Sequence, residues 1–184
     1  LLRLLAGLED PAAGAFVLDG RDTLTTLRYE SWEEQVAYIP QDPTIFHASL
    51  RENLTFYNPQ ASDEHLHAVI EKLGLSELLV QLPQGLDTLI GEGARGLSGG
   101  QAQRIALARV VLDERKRIIL FDEPTAHLDI ETEMELKQAM VEVMQERLVV
   151  FATHRLHWLD TLDYLLVLEE GKLVEQGTTT QLLE

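Results

Sequence analysis

The sequence has 184 residues, the size of one domain or two small ones, and 45% of them are apolar, the composition of a folded globular chain rather than a disordered tail. Its formal net charge of −16 argues against a nucleic-acid surface, which needs clustered Lys and Arg, and the lack of cysteine excludes a disulfide scaffold and thiol catalysis. No apolar run approaches the ~20 residues of a membrane-crossing helix.

In chain order, Leu1, Leu4, Leu5 and Leu8 recur at helical spacing, which predicts a helix over residues 1 to 7 ended by Gly7. Nothing ahead of them could cap a helix, so the sequence is expected to open inside an element. Ala15 to Leu18 reads as a strand turned by Asp19-Gly20, and Val36 to Ile39 as another stopped by Pro40. From about 45 to 95 the pattern is one of helices and loops. There Ser62 can cap a helix with Asp63 and Glu64 in its first turn, an apolar face of Leu66, Val69, Ile70 and Leu73, and a stop at Gly74. Ser98 to Leu112 is the next predicted helix. Ile118 to Phe121 and Leu148 to Ala152 read as buried strands flanking a helix over roughly 131 to 145. Tyr164 to Leu168 and Lys172 to Glu175 form an expected hairpin around Gly171. Strands alternating with helices imply a parallel sheet, whose ligands gather at the carboxyl ends of the strands.

The polar residues at those ends are the candidates for chemistry. In Arg117-Ile-Ile-Leu-Phe-Asp-Glu-Pro124 an apolar strand delivers two carboxylates. Asp122 suits a hydrated magnesium ion and Glu123 can orient or deprotonate a water, although two solvated acids at a strand end would read the same way. Leu97-Ser-Gly-Gly-Gln101 opens a helix: two glycines allow close backbone approach, and the helix start presents N–H groups with partial positive charge to an anion. His154 follows the strand Leu148 to Ala152 and could touch a phosphate oxygen, or be a structural histidine. Gln41, just past Pro40, could coordinate a metal or hold a water, or lie idle at the surface. The remaining histidines show no zinc spacing, and His65 and His67 do not share a helix face.

The order Gln, Leu-Ser-Gly-Gly-Gln, apolar-Asp-Glu, His resembles the ABC ATPase family, over nearly the whole chain. Residues 97 to 101 match its signature and 117 to 123 its Walker B strand; Gln41 matches the Q-loop and His154 the switch histidine. Thr125-Ala-His-Leu-Asp129 lies where the D-loop belongs, with Ala126-His127 where a Ser-Ala pair is commoner. Two stretches resemble exporter-type members: Gln41 to Asn53 around the Q-loop, and Leu82 to Gly93 leading into the signature. Residues 122 to 129 further resemble the CydD family of thiol-reductant (cysteine or glutathione) exporters that serve cytochrome bd assembly.

The resemblance implies a P-loop NTPase-type α/β fold: a parallel sheet core, a helical subdomain over 45 to 95, a small antiparallel β part, and the signature, Walker B and switch-histidine part over 96 to 184. It implies ATP and Mg2+ as ligands, with Asp122 and Gln41 toward the metal, and Glu123, His154 and Gln41 in catalysis. Ser98, Gly99, Gly100, Gln101 and Asp129 would bind nucleotide held by a second ATPase domain, similar but non-identical. Transmembrane domains would be the other partners, the segment around Glu92 would touch them, and the domain would lie on the cytoplasmic face of the membrane. No GxxxxGK[ST] occurs in the 184 residues. Residues 1 to 7 are therefore expected to be the helix that follows a P-loop, the chain an N-terminally truncated one, and the chain alone inactive. The alternatives are a degenerate regulatory site in a heterodimeric transporter, or a non-transport ABC ATPase of DNA repair, chromosome organisation or translation.

Overall fold

The computed structural model of the chain describes residues 1–91, 96–145 and 147–183, with Leu183 described by its backbone alone. Two compact units divide it, Leu1–Ala152 and Thr153–Glu184.

In the first unit the opening helix α1 (Leu2–Leu5) is shorter than the expected 1 to 7: Ala6 caps it, and Gly7, at φ +70°, turns the chain away. The face it buries differs from the expected one. Leu2 is buried and packs with Val36 and Leu120, with Leu5 beside them, while Leu1 and Leu8 are exposed. One turn is too short for a leucine periodicity to choose its own face. The contact that chooses it comes from Trp32, which packs on this cluster and donates its indole N–H to the Leu5 carbonyl at 2.8 Å.

Strand β1 (Phe16–Leu18) turns through Asp19 and Gly20, both at positive φ, into β2 (Asp22–Leu24), an antiparallel partner the sequence pattern did not show. A short helix α2 (Glu30–Glu33) leads into β3 (Val36–Ile39). The expected helical region then runs through β4 (Ala48–Ser49), α3 (Leu50–Leu54), α4 (Asp63–Lys72), α5 (Ser76–Gln81), a 3-10 turn (Gly85–Asp87) and β5 (Leu89–Ile90). The strand pair β4–β5 is antiparallel and closes this region on itself. Each strand has two residues, too few for any alternation to register in the sequence. Gly91 follows at φ +99°, and a Cβ there would stand 2.6 Å from the Phe46 carbonyl oxygen, so only glycine allows the approach. Ser62 caps α4 by accepting the His65 N–H, and Gly74 ends it at φ +66°. Glu92, expected to face a membrane partner, lies outside the described residues.

Helix α6 (Gly99–Val111), strand β6 (Ile118–Asp122), helix α7 (Ile130–Met144) and strand β7 (Leu148–Ala152) complete the unit. The sheet is parallel, in the order β3-β6-β7. Its register pairs Ile39 with Phe121 and Asp122 with Ala152, so the carboxyl ends of all three strands come out on one edge. Central β6 is buried along Ile119, Leu120 and Phe121. The expectation of a buried β7 is corrected: Leu148 is exposed and residues 149 to 152 are half-buried. Among the described residues β7 pairs only with β6, and the outer strand of a sheet has one neighbour instead of two.

In the second unit a 3-10 segment (Leu156–Thr161) buries Trp158 and precedes the hairpin β8 (Leu165–Glu169) and β9 (Lys172–Gly177). The turn has Glu170 and Gly171 at positive φ, as its glycine predicts. Helix α8 (Thr179–Leu183) follows.

Candidate functional site

Two polar segments leave the carboxyl edge of the sheet, and a third, the start of α6, shares a cavity with them. The first is Gln41, two residues past β3. Its main chain is held by Gln103, a buried residue of α6 whose Nε2 donates to the Gln41 carbonyl at 2.8 Å and to that of Pro40 at 3.4 Å. Its side chain meets the ring of His127 at 2.7 Å, and the other ring nitrogen of His127 lies 3.0 Å from an Asp42 carboxylate oxygen.

The second segment ends β6. Asp122 is half-buried, and Tyr38 on the neighbouring strand donates its hydroxyl to Asp122 Oδ2 at 2.6 Å. Burial first, then this bond to Asp122, push the Tyr38 phenol up to about 12, so it remains a donor at neutral pH. Asp122 Oδ1 makes no hydrogen bond among the described residues. Glu123 has φ +47°, a left-handed backbone that a residue with a Cβ adopts at a cost of about 1–3 kcal/mol. Its N–H donates to the Ala152 carbonyl at 3.0 Å, tying the strand ends of β6 and β7 together. Thr125 is buried and donates its hydroxyl to the buried carboxylate of Glu133 at 2.6 Å, which anchors this loop to α7.

The third segment is the start of α6. Ser98 is its N-cap: Ser98 Oγ accepts the Gln101 N–H, and Gln101 Oε1 accepts the Ser98 N–H, closing a capping box. The first intrahelical bond is Ala102 N–H to the Ser98 carbonyl, so the amides of Gly99 and Gly100 have no acceptor within the helix. Gly100 is buried against α7, where a Cβ would stand 2.6 Å from Thr132 Cγ2.

Gln41, Gly99, Gln103, Pro124, His127 and Leu128 line one cavity of about 100 Å³, so the structure does bring together the Q-loop, signature and D-loop segments of the sequence reading. Asp129 is engaged elsewhere. It caps α7, accepting the Thr132 N–H at 2.9 Å and the Thr132 hydroxyl at 2.8 Å, and these bonds lower its pKa in that order of importance. His154 is exposed and belongs to the second unit. Sequence reasoning did not pick out Tyr38 or Gln103, and it noted His127 only as a departure within the D-loop segment. Tyr38 had a signal, since a strand neighbour of the Walker B strand can reach Asp122; the other two act across long sequence separations that no spacing reveals.

The residues fit the ligands expected of them. A carboxylate oxygen and an amide side chain at one sheet edge are hard oxygen donors of the kind Mg2+ takes. The amides at the start of α6 suit a phosphate.

Comparison with known proteins decides the family. The profile described as ABC transporter matches residues 1–126. The chain belongs to the ABC transporter family. Over 184 residues it is 47% identical to the glutathione/L-cysteine transport system ATP-binding/permease protein CydC of Bacillus subtilis (strain 168), covering 100% of this chain and 32% of that protein. The Escherichia coli (strain K12) protein of the same name is 36% identical over 183 residues, covering 100% of this chain and 31% of the relative. The human mitochondrial iron-sulfur clusters transporter ABCB7 is 37% identical over 183 residues, 100% of this chain and 24% of the relative. A solved structure of a bacterial Atm1-family ABC exporter with ATP bound superposes with a TM-score of 0.83 at 33% identity, covering 98% of this chain and 32% of that one. The ABC transporter chain therefore has the α/β fold of an exporter-type ATP-binding domain, as the motifs implied. It spans about a third of the length of the bacterial relatives it matches.

Proposed function

We propose that these residues form the ATP-binding and ATP-hydrolysing domain of an ABC exporter, working on the cytoplasmic face of the membrane. The observation that supports the reading is twofold: Gln41 and Asp122-Glu123 follow neighbouring strands at one sheet edge, and Gln41, Pro124 and Gly99 at the start of α6 line one cavity. Asp122 and Gln41 would hold Mg2+, which when bound neutralises charge on the transferring phosphoryl group. Glu123 orients the attacking water and takes its proton. His154 stabilises the γ-phosphate as charge shifts. Ser98, Gly99, Gly100 and Gln101 of the signature, together with Asp129 of the D-loop segment, contact nucleotide held by a second ATPase domain, similar but non-identical. Within this reading residues 1–184 form one functional domain, with 45 to 95 as its coupling region and 96 to 184 its signature, Walker B and switch-histidine part. Without the lysine and amides of a GxxxxGK[ST] loop, these 184 residues alone hydrolyse no ATP.

The coupling region supports a membrane-domain partner. Phe46 and Phe56 are exposed yet stacked at 4.9 Å, beside a cavity of about 300 Å³ whose floor includes Arg109. Exposed aromatics around a concavity mark a protein contact. The cargo proposed is cysteine or glutathione, on the strength of the CydC relatives, and the acidic surface supports no nucleic-acid partner. Relatives named for transport favour this reading over the non-transport ABC ATPases.

The test is Glu123→Gln in the full-length protein. Hydrolysis is expected to slow by roughly 10²–10⁴ while Mg-ATP still binds. Near-normal turnover would remove Glu123 from the role of base. An unmutated protein that binds ATP but never turns it over would favour a regulatory site. ATP-driven glutathione or cysteine uptake into inverted vesicles, lost in the same variant, tests the cargo.

A further inference from the structure

We infer that His127 is a positioning residue for Gln41: it fixes which end of the Gln41 amide is offered to a divalent cation. This deepens the proposed ATP site and rests on it. The Asp42 carboxylate accepts hydrogen bonds, so His127 Nδ1, 3.0 Å from Asp42 Oδ1, carries the hydrogen. In a neutral imidazole Nε2 is then the acceptor, and the group 2.7 Å from it must donate. That group is the Gln41 side-chain N–H. The network thus assigns the amide, with its nitrogen toward His127 and its carbonyl oxygen turned away. The assignment matters because a hard cation takes the amide oxygen and not the nitrogen.

The rest of Gln41 is held independently. Gln103 clamps its carbonyl from α6, so the main chain cannot swing to compensate for a reversed side chain. The clamp comes from the helix that begins at Gly99, and the imidazole from the loop that follows Asp122-Glu123. Gln41 is therefore set by both of the other site segments at once, through one main-chain and one side-chain bond. The D-loop departure from Ser-Ala acquires a purpose in this way: neither a serine nor an alanine side chain is long enough to bridge Gln41 and Asp42 as the imidazole does.

Equilibrium ATP binding by the full-length Glu123→Gln protein, followed as a function of Mg2+ concentration, tests this without turnover. His127→Ala is expected to raise the Mg2+ concentration for half-maximal binding by about threefold to tenfold, the range one neutral hydrogen bond supplies. Binding measured without Mg2+ is expected to stay unchanged. His127→Gln, whose carbonyl can accept the same N–H, is expected to restore the midpoint. His127→Lys, a donor only, should shift it at least as far as alanine does. A midpoint within twofold of the parent in His127→Ala overturns the inference, as does a His127→Gln shift equal to that of alanine. A fold defect would instead lower the number of binding sites at every Mg2+ concentration. If the parent binds no ATP even with Mg2+, the ATP-binding reading itself fails and the inference falls with it.

Discussion

The two carboxylates at the end of β6 sit in different settings, and the difference is readable one side chain at a time. Asp122 is oriented by the Tyr38 hydroxyl; Glu123 is turned by its left-handed backbone. The first setting has a pH signature. An unfolded tyrosine ionises near 10.0, whereas Tyr38 in the fold holds its proton to about 12. Between those values the unfolded chain has lost a proton that the folded chain keeps, so this contribution is fully present below pH 10 and is lost as pH rises toward 12. Tyr38→Phe is therefore expected to narrow its gap from the unmutated chain across that window and to keep it constant below. Urea denaturation at a series of pH values measures this. A gap that stays constant through the window would mean that neither burial nor the bond to Asp122 holds the Tyr38 proton in solution.

Among the elements, the contact of α6 with α7 limits what the signature glycines can become. A Cβ on Gly100 would strike Thr132 Cγ2 at 2.6 Å, and Thr132 cannot simply rotate because both its N–H and its hydroxyl are bound to Asp129. Alanine is the better helix former by about 1 kcal/mol, yet overpacking costs about 1–3 kcal/mol, so Gly100→Ala is expected to destabilise by about 1 kcal/mol. Replacing Thr132 by serine removes the methyl and keeps the hydroxyl, so the double variant should be at least as stable as the unmutated chain. A denaturation double-mutant cycle checks it, and additive effects would show that the two side chains do not meet. Arg109 on α6 is a second anchor. It donates to the Asn53 carbonyl at 2.7 Å, to Asn53 Oδ1 at 2.9 Å and to the Thr44 carbonyl at 2.9 Å. Arg109→Leu removes the guanidinium from the buried Asn53 carbonyl, while Asn53 Oδ1 keeps the Phe46 N–H, and is expected to cost about 1–3 kcal/mol by the same measurement.

Local signals were legible: Ser62 as a cap, residues 97 to 101 as a helix start, Gly74 and Gly171 as turns, Asp122-Glu123 at a strand end. Each depends on residues within a few positions. Signals that need a partner far along the chain were not, such as the 86-residue gap between Gln41 and His127 or the choice of Leu2 as the core face of α1. Asp129 shows a third case. Its sequence position suggested a nucleotide contact, but an Asp directly before a helix is also a natural cap, and geometry alone reveals that its carboxylate is already engaged.

For the whole molecule the dominant fact is the charge: 31 acidic residues against 15 Lys and Arg. The ion pairs Arg3–Glu9, Arg28–Asp10 and Arg115–Glu34 are solvent-exposed on both sides, and such pairs contribute ~0–1 kcal/mol each. Salt weakens those attractions only slightly, because water has already screened them. It also weakens the mutual repulsion of a surface with sixteen excess negative charges, which opposes the compact state. The second effect acts over distances up to the Debye length, ~30 Å at 0.01 M salt and ~8 Å at 0.15 M, so most of it disappears across that range. Raising sodium chloride across it is expected to raise the thermal unfolding midpoint by about 2–4 °C, the shift that ~1 kcal/mol produces in a chain of this size. A midpoint that falls with salt would mean that the local ion pairs outweigh the net repulsion, and that the acidic surface is organised rather than merely solvated.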